Sequence, residues 1–365
     1  MRFVTLLALS LALASPVTFA QLTQEQISVE TMPEPGVNWF ISKTGNGGYI
    51  FDANTGEMQG LLSLSRNTPA VTMWNPRREF YAAETYVSRG VHGERTDLVA
   101  IYDYDNLSPI AEIVIPNHMA RLSVRNHLAL MNNGRHLAVH NMNPGHSVSI
   151  VDVEDRLFIY EVSTPGCAVL MAVADSDFLQ VCGDGTLQLI QLDVSGYESN
   201  RVRSNEFFDV QSDAVFDRTA RSADGWVLVT HAGNIFEVST SGSQINISDS
   251  WSVVPRGEEG WRPGGRGEFI TLHQDYGLLY VAMHQGGVDT HHESGDEIWV
   301  LDTNTRQRVH KIELEVPANS LMVTQEAEPK LIVADSSGGT HVYNAITFVH
   351  ERSIRTPGAS MFEDF

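Results

Sequence analysis

The sequence is short of positive charge: 24 Lys and Arg stand against 45 Asp and Glu over 365 residues, a formal net charge of −21 at pH 7. Phosphate backbones are held mainly by Lys and Arg contacts that release counterions, so nucleic acid is excluded as a natural partner. A basic or neutral protein partner suits the balance better, and the same charge also serves solubility. Cysteine is almost absent, with only Cys167 and Cys182. The usual catalytic signatures are missing as well. There is no G-x-S-x-G elbow, no H-E-x-x-H, no C-x-x-C-H and no Gly-rich phosphate loop entering a helix. No Gly/Ser or Pro linker divides the chain, and no long amphipathic helix pattern appears.

What is present begins with a leader. Arg2 precedes an apolar run from Phe3 to Ala14, broken only by Thr5 and Ser10, and a small-residue exit ends at Ala20. The run is too short to span a bilayer and polar Gln21, Thr23, Gln24 and Glu25 follow, so a secretory signal peptide cleaved after Ala20 is expected, and a membrane span is not. That places the mature chain in the periplasm. In such an oxidising compartment an isolated cysteine pair reads as one disulfide, Cys167 to Cys182, and Asp175-Ser176-Asp177 between them supplies the turn of a hairpin that sets them opposite each other. A redox-active pair is more often spaced C-x-x-C.

A phrase then repeats: three or four β-formers, an acidic or amide residue, a turn, and a second strand. It occurs seven times, at 48–52, 99–103, 148–152, 189–193, 233–237, 298–302 and 341–344. Asp or Asn at the strand end bonds the backbone of a tight turn, so each phrase is an outer hairpin. Inner hairpins lie between them, with turns at 75–78, 132–135, 175–177, 222–225, 274–277 and 326–329, each followed by a strongly apolar strand. Two hairpins per repeat make a four-stranded antiparallel blade, so the expectation is an all-β, seven-bladed β-propeller of four-stranded blades. The one missing inner hairpin is assembled from the chain ends, Val37 to Lys43 and Ser360 to Asp364, which close the ring and remove an edge. The expected organisation is therefore a signal peptide at 1–20, an N-terminal extension at 21–36 and one propeller domain at 37–365.

Two loops carry the densest chemistry. The irregular stretch from Ser250 to Gly267 holds Trp251, Pro255, Arg256, Trp261, Arg262 and Pro263, with Gly264 and Gly265. Trp and Arg commonly anchor interfaces and Pro stiffens a loop, so it reads as a partner-docking segment; the alternative is that Trp251 and Trp261 plug the space between blades. The second loop holds His284, His291, His292, Glu293, Asp296 and Glu297. It reads as a channel or interface lining, as solvated surface, or as a metal site, although adjacent histidines do not readily share one ion. Residues 182–185 (Cys-Gly-Asp-Gly) imitate a phosphate or calcium loop but read as a blade turn.

Several of these stretches resemble one family, the heavy chain of the tryptophan tryptophylquinone-dependent amine dehydrogenases, which includes methylamine and aromatic amine dehydrogenases. The resemblance runs from about Gly48 to the C-terminus. It is carried by 89–97 (Arg-Gly-Val-His-Gly-Glu-Arg-Thr-Asp), Gly166-Cys167 with 181–187, Trp261-Arg262-Pro263-Gly264-Gly265, and 297–302 followed by 305–309. It implies a propeller subunit with no catalytic residue and no cofactor of its own, paired with a small disulfide-rich light chain as two heavy and two light subunits. The quinone is built from two tryptophans of the light chain. Such enzymes oxidise a small primary amine to aldehyde and ammonia and pass electrons to an azurin- or amicyanin-like blue-copper protein. The heavy chain then contributes to the substrate channel and docking surface, for which Trp261, Arg262, Pro263, Gly264, Gly265, His284 and His291 are the candidates. The resemblance also implies the Cys167–Cys182 disulfide. Residues 297–300, Met283-His284 and 182–185 resemble the aromatic-amine branch, whereas 64–68 (Leu-Ser-Arg-Asn-Thr) lacks an aromatic that some aliphatic-amine members place near the channel. Two rival readings remain: a non-enzymatic periplasmic propeller scaffold, and a metal enzyme built on the His284 to Glu297 cluster.

Overall fold

Runs of β-branched, aliphatic and aromatic residues, stopped by Asp, Asn and Gly, fold into antiparallel strands, and apart from two short 3-10 turns no helix forms among the described residues. The computed structural model describes residues 31–116, 118–359 and 361–365. The expected signal peptide, its cleavage point and most of the 21–36 extension lie outside them. From Met32 the chain belongs to the propeller unit. The end of the extension packs on it: Tyr104 donates to the Pro33 carbonyl at 2.5 Å, and Arg78 pairs with Glu34 at 2.9 Å.

The strands gather into hydrogen-bonded sheets. Going outward to inward, the first holds Met58–Ser63, Gly47–Asp52, Trp39–Lys43 and Met361–Asp364. The second, inward to outward, holds Val71–Trp74, Glu79–Val87, Arg95–Asp103 and Pro109–Ile115. In the third, His118–Met119 and Leu128–Leu130 share His136–Asn143, followed by Ser147–Asp152 and Leu157–Ser163. The fourth runs Cys167–Val173, Asp177–Cys182, Leu187–Leu192 and Glu198–Arg203. The fifth runs Val215–Arg221, Gly225–Thr230, Asn234–Ser241 and Gln244–Ile247, with Trp251–Ser252 added. The last and largest contains the eight strands from Trp261–Pro263 to His350–Ile354.

Buried apolar clusters join each sheet to the next. Ile41 and Ile50 of the first pack with Phe80 and Ala82 of the second; Tyr81 and Val99 of the second meet Leu137 and Val139 of the third. Ile150 then meets Phe178, Leu189 meets Leu228, and Val229 meets Leu279 and Trp299. The final cluster, with Met322, Ile332 and Val342, returns to Phe40 and Phe51 of the first sheet. A chain of sheets whose last face covers its first is a β-propeller.

The expectation of a seven-bladed propeller of four-stranded blades is overturned by the hydrogen-bonding, in both the number of blades and their strand count. There are six sheets among the described residues, three of four strands, two of five and one of eight. The reason is local. Gln307–Val323 stays extended for 17 residues and pairs with Gly295–Asp302 along its first part and Lys330–Asp335 along its last, so the strands on both sides of it form one sheet. Elsewhere split or added strands raise the count to five.

At the ring's seam Trp39–Lys43 pairs with Met361–Asp364, in the register Phe40 to Asp364, Ile41 to Glu363 and Lys43 to Met361. Val37 and Asn38 precede this strand in a turn, Asn38 with φ of 63°, and Ser360 lies outside the described residues. Phe40 and Phe362 meet edge to face at 5.6 Å between ring centroids. In the fourth sheet Cys167 and Cys182 are direct cross-strand partners joined by a disulfide.

Candidate functional site

Strands reverse direction within each antiparallel sheet, so the turn between second and third strands and the crossing to the next sheet leave from one end. The two loops singled out in the sequence meet there. The first is partly ordered as strand: Trp261, Arg262 and Pro263 pair with Gln285, His284 and Met283. The Gly286 amide donates to the Gly260 carbonyl at 3.0 Å, and Gly265 to that of His291 at 3.3 Å. All the sequence-predicted site residues from Trp261 to Gly265, with His284 and His291, thus share one patch.

His284 is its most confined member, 1% exposed. A Cβ on Gly264 would lie 2.6 Å from its Cε1, and one on Gly286 3.0 Å from its Nε2, so glycine on both sides is what lets the ring in. Burial pushes its pKa below the usual histidine range, leaving it neutral at pH 7. Thr290 Oγ1 lies 2.9 Å from Nε2 and donates its own proton to the Gly287 carbonyl, so Nε2 must carry the ring proton. Nδ1 is then a buried lone pair with no protein partner. His291 stacks on His231 at 4.3 Å, beside Phe216, and burial lowers the pKa of both histidines. The histidine loop and Arg266, Asp289, Thr290, Glu293 and Asp296 line a cavity of about 540 Å³. Among the described residues no group of three or more His, Cys, Asp or Glu is placed to hold a metal.

Trp261 faces inward more than the sequence suggests. Half-buried, it packs on fully buried Trp299 at 5.3 Å, and Lys311 Nζ lies over both rings, 5.3 and 4.6 Å from their centroids. Trp251 is half-buried too and donates to Glu237 at 3.2 Å. The tip of the loop is tied down by Glu258, which accepts from Arg308 at 2.8 and 2.9 Å and from Lys311 at 3.1 Å. Exposed Arg256 and the backbone around 255–260 are what this segment offers to solvent.

Sequence reasoning missed a buried polar cluster on the inner strands. Glu363 of the closing strand lies 3.2 Å from Arg125 and accepts the Val71 amide at 3.3 Å. Lys43 reaches Ser123 at 3.3 Å, and Arg218 sits 3.4 Å from Glu268. Burial pushes the Glu363 carboxyl up and the Lys43 ammonium down, each partly opposed by the other's charge. Nearby, the rings of His127 and His140 lie 4.8 Å apart, and burial pulls their pKa values to about 4 and about 3. Both are neutral imidazoles near pH 7. Chemically the face offers neutral imidazole rings beside a cavity walled mostly by polar and charged side chains, Arg266, Asp289, Glu293 and Asp296 among them.

The family model described as Methylamine dehydrogenase heavy chain (MADH) matches residues 36–360. The methylamine dehydrogenase heavy chain of Methylobacillus flagellatus is 25% identical over 313 residues, 82% of this chain and 76% of that one. That of Paracoccus versutus is 26% identical, covering 84% and 72%, and that of Methylorubrum extorquens 27%, covering 72% and 65%. Among solved structures, a functionally unknown protein from Desulfotomaculum acetoxidans superposes with a TM-score of 0.62 at 12% identity, over 88% of this chain and 96% of that one. A dihydro-heme d1 dehydrogenase gives 0.53 at 18% identity, over 91% and 76%. Both likenesses concern the fold alone.

Proposed function

The chain belongs to the methylamine dehydrogenase heavy chain family, and we propose that it is the large subunit of a periplasmic quinoprotein amine dehydrogenase. The family match across 36–360 carries this reading. The assembly would oxidise a small primary amine to aldehyde and ammonia, two heavy chains pairing with two light chains and a blue-copper protein taking the electrons. The leader-like N-terminus supports export, and no helix among the described residues is long and apolar enough to cross a membrane. The segments at 182–185, 283–284 and 297–300 support a preference for aromatic or aralkyl amines.

The tryptophan tryptophylquinone belongs to the light chain, where it would supply the electrophilic carbonyl and the two-electron acceptor. This chain's part is to wall and exclude. The neutral state of His284 keeps the patch from repelling an alkylammonium ion. The half-buried rings of Trp261 and His291 and the buried ring of Phe216 shield that end of the propeller from water.

The test is reconstitution. The isolated chain should be colourless and without dye-linked amine oxidation, and should gain it with its light chain, faster on phenylethylamine than on methylamine. A coloured, active isolated chain overturns the proposal. A chain that recovers no quinone-bearing partner from a periplasmic extract favours the scaffold reading.

A further inference from the structure

On the outer part of the eight-stranded sheet three side chains from three consecutive strands line up. Asp335 ends Lys330–Asp335, His341 lies on Thr340–Asn344 and Ser353 on the edge strand His350–Ile354. His341 and Ser353 are direct cross-strand partners. Asp335 Oδ2 lies 2.8 Å from His341 Nε2, and His341 Nδ1 lies 2.9 Å from Ser353 Oγ. A second imidazole, His350, brings Nε2 to 3.2 Å from the same hydroxyl.

The proton positions follow from the partners. The Asp335 side chain is buried, and its carboxylate is fixed by the Ser337 and Gly339 amides at 2.7 and 2.8 Å. Burial works against its charge, but the His341 and Ser337 hydrogen bonds outweigh it and hold the pKa at about 2. A carboxylate only accepts, so Nε2 of His341 is the protonated nitrogen and Nδ1 presents its lone pair to the Ser353 hydroxyl. This is the nucleophile, base and orienting-acid logic of a hydrolase, with the roles of the two ring nitrogens exchanged.

We propose that Ser353, His341 and Asp335 form a second, hydrolytic site that cleaves small esters, with a preference for those carrying a positive charge. A cavity of about 320 Å³ opens beside the triad and is lined by Glu313, Glu315, Tyr343 and His350. Two carboxylates and an aromatic ring suit an ammonium group. The edge strand has a partner on one side only, so every second amide along it faces outward and can donate to a developing oxyanion. Ser353 Oγ bonds to the ester carbonyl carbon as its proton passes to His341 Nδ1; the bond to the leaving alcohol breaks and that proton goes with it. Water, deprotonated by His341, then splits the acyl-serine to carboxylic acid and free serine. Only ester and water are consumed.

The site is independent of amine oxidation and is tested on the full chain without a light chain. Acetylthiocholine and p-nitrophenyl acetate are the substrates, and diisopropyl fluorophosphate is the covalent probe. Wild type should hydrolyse both, acetylthiocholine the faster, and mass spectrometry should place the phosphoryl adduct on Ser353. S353A and H341Q should each lose roughly 100-fold or more of the rate. Ser353 is exposed on an edge strand, so S353A should keep the wild-type melting temperature. Hydrolysis unchanged in S353A, or an adduct on another residue in the wild type, overturns the proposal whatever becomes of H341Q.

Discussion

Glu258 holds an exposed loop by a single carboxylate shared between Arg308 and Lys311. Hydrogen bonds from Arg308 first, then Lys311, depress its pKa to about 2. A depressed folded pKa means the stabilisation is complete above the ordinary carboxylate value and is lost as pH falls toward 2. Its side chain is 30% exposed, so solvent screening limits the effect to about 1 kcal/mol or less. E258Q should therefore unfold at slightly lower urea than wild type at pH 6, and the gap should narrow at pH 3 and in high salt. A gap that ignores both pH and salt contradicts the ion-pair account. Gly264 is a steric case: in G264A the new Cβ meets His284, and overpacking should cost about 1–3 kcal/mol, seen as a lower melting temperature. The sequence set Gly264 and His284 in two different loops, and only the family resemblance put both among the candidates for one surface. It did not reveal that one glycine exists to admit the other's ring, since nothing in spacing says which side chain presses on which backbone.

At the scale of elements, hairpins were the most legible feature. Turn residues flanked by β-formers placed Cys167 opposite Cys182, and the strands do pair them. The crosslink spans a sequence separation of 15, so replacing both cysteines by alanine should cost roughly 3 kcal/mol at most, measured by chemical denaturation. Blade boundaries were less legible. Glu315, Val316 and Pro317 carry Gln307–Val323 from one hairpin into the next because partners on opposite sides take over its hydrogen bonds. A strand's end is set by its neighbours, which local sequence does not contain. The closing strand shows the same limit from another side: the sequence placed it at the seam, where Met361–Asp364 does pair with Trp39–Lys43, but it did not show that Glu363 is buried there against Arg125. E363A should destabilise by about 3 kcal/mol or more, because it strands a buried guanidinium, while F362A should cost about 3–5 kcal/mol through the cavity left beside Phe40. Equal, negligible effects in a melting assay would mean that the strand is not part of the core.

For the whole molecule, the repeat announced a ring, and the way apolar clusters are shared gives that ring a mechanical meaning. Every sheet covers one face with its predecessor and the other with its successor, and the cluster of Phe40, Phe51, Met322, Ile332, Val342 and Phe362 joins last to first. Stability in such an array is a sum of sheet and interface contributions, and closure adds one interface without adding a sheet. Removing residues 361–365 deletes the strand that makes this join, exposes the edge of Trp39–Lys43 and uncovers part of the apolar seam. Intact chain should unfold in one transition by both tryptophan fluorescence and far-ultraviolet circular dichroism. The truncated chain should melt lower, with the two signals no longer coincident, because the sheets beside the seam can open before the rest. Light scattering should rise with protein concentration as the freed edges pair between molecules. If truncation leaves the midpoint and the coincidence of signals unchanged, the ring is held by its sheet-to-sheet faces alone and the terminal pairing is incidental to its cooperativity.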